Sequence, residues 1–161
     1  MSVFPESEWE TLALEWLADQ EWQPTHGSEI APGTEDGRTS WDDIVLPERL
    51  LTKMRELNPA VPYEYLVQAR AAVLAPESGD PLAENHRLHE ILVKGLRGIS
   101  YVDHDGLEQT PTIRLIGARP EDNEMLAVQQ VTVRNSEHQR RFDVVLYLNG
   151  LPVAFLQPQQ T

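Results

Sequence analysis

Residues 143–161 read DVVLYLNGLPVAFLQPQQT. Two apolar runs flank Asn149-Gly150, a dipeptide that accepts positive φ at both positions and so suits a tight hairpin turn. A two-residue type I′ turn would pair Leu148 with Leu151 and set Asp143 across from Leu156, with Gln157 on the opposite face. A three-residue loop, with Gly150 left-handed as a bulge, would instead set Tyr147 against Leu151 and Asp143 against Phe155. Asp143, Gln157 and Gln159 then share one face by the two-residue period of a strand. Sequence alone leaves both registers open, yet either makes this segment an antiparallel hairpin with one carboxylate at its mouth. Because both strands are apolar on each face, they read as central strands covered on both sides.

Working outward, residues 124–133 (EMLAVQQVTV) form a further strand. Residues 100–103 read as a strand entering the turn His104-Asp105-Gly106, with residues 112–116 as its return. The N-terminal half has helical spacing instead. From Pro5 to about Trp22, Trp9, Leu12, Ala13, Trp16 and Leu17 recur at helical intervals, with Glu6, Glu8, Glu10 and Glu15 between them. Acids in those first turns suit the helix dipole. The segment THGSEIAPGTEDGRTS reads as an exposed loop. A second helix starts at Pro47, whose missing N–H costs nothing there, and ends before Asn58-Pro59. A third spans residues 63–75. A fourth has Asp80 as N-cap and Pro81 at its first position, and stops at Gly95 or Gly98. Helices first and strands afterwards predict an α+β fold.

The totals bound the class. A chain of 161 residues with 40% hydrophobic content and four Trp is expected to be one globular domain over residues 1–161. It has no cysteine, which excludes disulfides and thiolate zinc sites and fits the cytoplasm. The N-terminus carries acids where a signal peptide carries basic residues, and no apolar run approaches the roughly 20 residues that span a bilayer. A net charge of −13 opposes contact with phosphate backbones. Most of that imbalance lies in residues 1–60, whereas Arg134, Arg140 and Arg141 flank Asp143. Any DNA contact is expected in that C-terminal part.

Taken in order, several short pieces resemble one family: Glu10-Thr-Leu-Ala-Leu-Glu-Trp-Leu with Trp22, Leu46-Pro-Glu-Arg-Leu50, Leu57-Asn58-Pro59, Glu84-Asn85 with Leu92-Val-Lys-Gly95, residues 123–131, and Arg141-Phe-Asp-Val-Val-Leu-Tyr-Leu-Asn-Gly-Leu-Pro152. The chain resembles, over nearly its whole length, the N-terminal domain of the R subunit of type I restriction–modification enzymes. That resemblance implies a PD-(D/E)xK restriction-endonuclease-like core: a central mixed sheet flanked by helices, truncated here at the C-terminus. It implies Mg²⁺ as cofactor, because carboxylates hold a hard cation that stabilises phosphate charge and acidifies an attacking water. Asp143 matches the motif Asp, with Phe142 in place of the Pro, and Glu10 matches an acid on the first helix, with Glu6 as the second candidate. Gln157 and Gln159 stand where the family has Glu and Lys, with Pro158 between them. A glutamine lacks the charge of a strong Mg²⁺ ligand, and Gln159 supplies no positive charge at any pH.

The expected catalytic set is therefore Asp143, Gln157, Gln159 and Glu10, with Asp143, Gln157 and Glu10 toward the metal and Arg134, Arg140 and Arg141 toward DNA. As it stands, this set implies a weak or inactive endonuclease. The resemblance further implies double-stranded DNA, methyltransferase and specificity subunits as partners, no membrane role, and an ATP-driven motor beyond this chain. No G-x-x-x-x-G-K-[ST] loop occurs here. Altered motif residues just before an early end would also suit a gene fragment.

Plainer readings compete with the sharp ones. The acids of the first helix suit a solvated face, His86 and His89 beside Glu90 lack a third ligand, and Asp103-His104-Asp105-Gly106 suits a hairpin turn better than a calcium loop. One of Gln129 and Gln130 is expected to face the active-site cleft. The rival functional readings are a non-catalytic remnant or interaction module of the restriction complex and, more weakly, an acidic decoy for a basic partner.

Overall fold

The structure, a computed structural model, describes residues 5–157. In chain order it forms helix α1 (Glu6–Asp19), strand β1 (Gln23–His26), helices α2 (Pro47–Leu57), α3 (Tyr63–Leu74) and α4 (Pro81–Lys94), short strands β2 (Tyr101–Val102) and β3 (Glu108–Gln109), and strands β4 (Met125–Arg134), β5 (Gln139–Leu148) and β6 (Leu151–Leu156). Two compact units result, one from residues up to Glu48 and from Glu124 onward, the other from Arg49–Asn123.

The first unit is built on a four-stranded mixed sheet in the order β1-β4-β5-β6, with β1 parallel to β4 and the other pairs antiparallel. This is the α+β architecture with a central mixed sheet that the sequence predicts. Strand β1 lies in the stretch where helix 1 gives way to the expected loop. Its four residues, Gln-Pro-Thr-His, carry no apolar alternation, and its pairing with β4 comes from a partner about 100 residues away, so no local signal marks it. Both faces of the sheet are covered. Leu126, Val128, Val131, Val145 and Tyr147 pack with Ile30 and Leu46, whereas Ala127 and Val144 pack with Leu17 of α1. Each fully buried side chain of this kind stabilises the fold by about 1.5–3 kcal/mol before entropy is counted.

Helix α1 buries a different stripe from the expected one. Trp9, Leu14 and Leu17 pack toward the sheet, while Leu12 and Trp16 are 54% and 62% exposed. Glu10 falls on the buried stripe, one turn before Leu14. The helix stops at Asp19, short of Trp22, and Glu21 with φ 72 turns the chain into β1.

The loop after β1 is pinned from within. Arg38, only 3% exposed, donates to the carbonyls of Asp43, Trp41 and Thr132 at 2.9, 2.9 and 2.7 Å. The Tyr147 hydroxyl donates to the Ile44 carbonyl at 2.8 Å. These bonds hold an irregular segment against β4 and β5 where no ladder exists to do so.

The second unit contains α3, α4, most of α2 and the β2–β3 hairpin. Asp80 caps α4 by accepting from the Leu82 N–H, Pro81 follows at the first position, and Gly95 at φ 85 ends the helix. The turn at residues 103–106 is a hairpin turn, with Asp103 accepting from the backbone of Asp105 and Leu107. Its return strand is Glu108–Gln109 rather than residues 112–116. Within the latter stretch, Ile113 bridges to Leu96, and Arg114 exchanges two bonds with the buried Asn58 side chain. That pairing removes the backbone from the hairpin and buries Ile113 and Leu115.

Candidate active site

The final hairpin combines features of both expected registers. Asn149 and Gly150 have φ 53 and 85, so the turn is the two-residue type I′ form and Leu148 faces Leu151. Asn149 is nearly fully buried and accepts from the Glu124 N–H at 2.8 Å, while its own N–H donates to the Glu124 carbonyl. Tyr147 then pairs with Pro152 but Leu146 with Ala154, leaving Val153 as an extra residue on β6. Val144 consequently meets Leu156, and continuing the count sets Asp143 opposite Gln157. Gly150 is not a bulge; Val153 is. A register shift of one, made inside the strand, gives the same facing of Asp143 and Gln157 that the three-residue loop would have produced.

A second irregularity lies at the other side of Asp143. Along β4 and β5, Gln129 pairs with Val144 and Val131 with Phe142, so Gln130 stands across from Asp143 without a ladder pair. Gln130 has φ 59, uncommon for a residue with a side chain and more so inside a strand. Strict alternation would place Val128 and Val131 on opposite faces, and Val145 and Phe142 likewise. All four nevertheless pack in one cluster. Each strand therefore changes phase at the same step, where Gln130 and Asp143 sit.

The turned Gln130 sends its side-chain amide to Glu10, donating from Nε2 to Oε1. Glu10 and Asp143 are each only 7% exposed. Gln130 therefore bonds the helix carboxyl group through its side chain and stands across from Asp143 in the register of β4 and β5. Buried carboxylates on an otherwise apolar helix face are informative because such groups are seldom buried without a partner. Gln129 and Gln130 both remain half-buried, and Gln130 is the one that meets a predicted site residue.

The remaining predicted residues are spread out. Gln157 is exposed, and its amide lies 3.4 Å from the Arg141 carbonyl. Gln159, and with it Pro158, lies outside the described residues, as does the Glu6 side chain. The Arg134 guanidinium stacks 4.1 Å from the centre of the Trp41 ring, and Arg140 sits 4.8 Å from that of Phe142. Phe142 in turn stacks on Phe155, which is half exposed. The three arginines are exposed on the β4–β5 end of the sheet. An open cleft of about 480 Å³ beside Arg55, Asn58 and Tyr63 belongs to the other unit and contains none of these residues.

Glu10, Asp143 and the Gln157 amide offer oxygen donors only, which suits a hard divalent cation better than a thiophilic or imidazole-seeking one. The charge on that set is smaller than three carboxylates would give. Among the described residues, no three Asp, Glu, His or Cys side chains converge on one point. No helix among them is long and apolar enough to cross a membrane.

Comparison with known proteins shows the family. Residues 4–156 match the family described as the type I restriction enzyme R protein N terminus. A relative in Methanocaldococcus jannaschii, named as the MjaIXP endonuclease subunit of a type I restriction enzyme, is 25% identical over 152 residues. The match takes in 92% of this chain and 14% of that protein, so the chain spans about one seventh of its relative. The chain belongs to the family of type I restriction enzyme R protein N-terminal domains.

Proposed function

We propose that this domain is the nuclease part of a type I restriction R subunit, weakened or silenced by Gln157 and Gln159. It would act on double-stranded DNA within a multi-subunit cytoplasmic complex whose methyltransferase and specificity subunits choose the site. The observation that carries this reading is the burial of Glu10 beside Gln130, at the strand position opposite Asp143. A stripe that only stabilised the helix would not favour a carboxylate there.

Glu10 and Asp143 would hold Mg²⁺, with Gln157 as a weak third ligand. When bound, Mg²⁺ stabilises charge on the scissile phosphate and lowers the pKa of the attacking water. The chain's own residues bring DNA to that point and orient it. Exposed Arg134, Arg140 and Arg141 neutralise backbone phosphates, and the aromatic rings under Arg134 and Arg140 hold those guanidinium planes in place. The deficit lies in Gln157 and Gln159. A neutral amide contributes less to a cation site than a carboxylate, and no cation stands at residue 159 to orient water or offset developing negative charge.

Plasmid nicking in Mg²⁺ tests the proposal. The chain as it stands is expected to nick supercoiled DNA slowly or not at all, the Gln157→Glu/Gln159→Lys chain to nick it faster, and Asp143→Ala to abolish the gain. A folded double variant with no activity would favour a second reading, a non-catalytic module of the restriction complex, for which the uncharged Gln157 is the supporting observation. Efficient cutting by the unmodified chain, lost on Asp143→Ala, would remove the claim of weakness.

A further inference from the structure

We infer that Gln130 is the positioning residue of this site: its side-chain amide aims the Glu10 carboxylate at the point that Asp143 faces. The inference deepens the metal-site reading above and rests on it.

Four observations converge on this residue. First, its backbone is left-handed. Among the described residues the other non-glycine positions with positive φ are Glu21, Asp36 and Asn149, which lie just past α1, in the long loop and in the hairpin turn. Gln130 alone of these four is inside a strand, where a ladder bond is forfeited and the conformation costs on the order of 1 kcal/mol. Glycine or asparagine would adopt it more readily, so the glutamine is there for its side chain.

Second, that side chain donates a hydrogen bond to the Glu10 carboxyl group. Gln130 Nε2 can only donate, so Glu10 Oε1 accepts, and the orientation of the amide and of the carboxyl group is fixed together. The second Glu10 oxygen is then available to a cation. Third, the neighbouring strand end is shaped to the turned backbone. A Cβ built on Gly27 would stand 2.1 Å from the Gln130 carbonyl oxygen and 2.9 Å from its carbon, so only glycine fits after His26. Fourth, the phase change occurs on both strands at the step shared with Asp143, so the same distortion that turns Gln130 also sets the local course of β5.

A side chain that merely filled space would need none of these. Groups that hydrogen-bond to metal-ligating carboxylates typically alter metal affinity 10- to 100-fold when removed. Gln130→Gly keeps the left-handed backbone and deletes the amide, which separates the positioning role from folding.

The test uses Mn²⁺ as probe, titrated by calorimetry into the chain carrying Gln157→Glu so that affinity is measurable. Adding Gln130→Gly is expected to weaken Mn²⁺ binding about 10-fold or more with the melting temperature unchanged or raised. Adding Gln130→Asn, one methylene too short to reach, is expected to do the same. In metal-free unmodified protein, Glu10→Gln is expected to shift the Gln130 side-chain amide resonances. Binding unmoved by Asp143→Asn, or no binding at all, would overturn the metal-site reading and this inference with it. Binding lowered by Asp143→Asn but unmoved by Gln130→Gly would overturn the positioning role alone, as would Gln130 amide resonances that ignore Glu10→Gln.

Discussion

Gln130 on β4 stands directly across from Asp143 on β5, at the one step between Met125 and Arg134 where the ladder forms no pair. The break is supported rather than slack. Glu10 holds the Gln130 side chain from α1, and Gly27, just past the end of β1, leaves room for its backbone. Three elements thus meet at one distorted residue, and the consequences of disturbing each can be stated.

Gly27→Ala forces a methyl group into the Gln130 carbonyl, an approach of 2.1 Å to backbone that no side-chain rotation can relieve. The variant is expected to lose about 2 kcal/mol or more, as overpacked sites do. Urea unfolding would measure it. A loss within about 0.5 kcal/mol would mean that β1 is not held this close to β4.

Arg38→Lys removes a fork that satisfies three carbonyls from Trp41, Asp43 and Thr132. A lysine ammonium carries its donors at one point and cannot span them. The expected cost is about 2 kcal/mol, because three part-buried carbonyls lose a charged donor. Faster amide exchange across residues 38–46 should accompany it, and unchanged exchange there would contradict the pinning role.

Tyr147→Phe tests both a hydrogen bond and a titration. Losing the bond to Ile44 is expected to cost about 1 kcal/mol at neutral pH. Burial raises the Tyr147 phenol above its ordinary pKa of 10.0, with the Arg38 charge opposing the rise. The unfolded chain therefore ionises first as pH increases. The stability from this group is complete below about pH 10 and declines as the pH climbs above it. Denaturant midpoints measured from pH 8 to 11 should fall less steeply in Tyr147→Phe than in the parent chain; equal slopes would show that the phenol titrates alike in both states.

Asp80→Ala removes the side chain that accepts from the Leu82 N–H at the start of α4. The expected loss is about 1 kcal/mol, and Asp80→Asn or Asp80→Ser should recover most of it. Thermal melting of the three variants would decide, since a general surface effect would not rank them in that order.

Much of the molecule was legible locally. Pro47, the Asn58-Pro59 stop, and Asp80-Pro81 with Gly95 bound their helices because capping and proline chemistry act within one turn. Asn149-Gly150 specifies its turn because both residues tolerate positive φ. Other features gave little or no local sign. Strand β1 is short and polar, and the burial of Glu10 instead of Leu12 follows from how α1 rotates onto Ala127 and Val144. Periodicity shows that a helix has a face; it does not fix the angle when an acid competes with two large apolar residues for the inside.

By itself, then, the sequence determined the order of helices and strands, the hairpin turn and the family, all of which depend on short-range chemistry or on ordered motifs. Only the tertiary structure decided that Val153 supplies the register shift, that Gln130 breaks the register of β4 and β5, and that Glu10 bonds the Gln130 side chain. The reason is physical. A bulge or a phase change is chosen by how two distant strands must pair to bury both faces of one sheet, and no single segment contains that information.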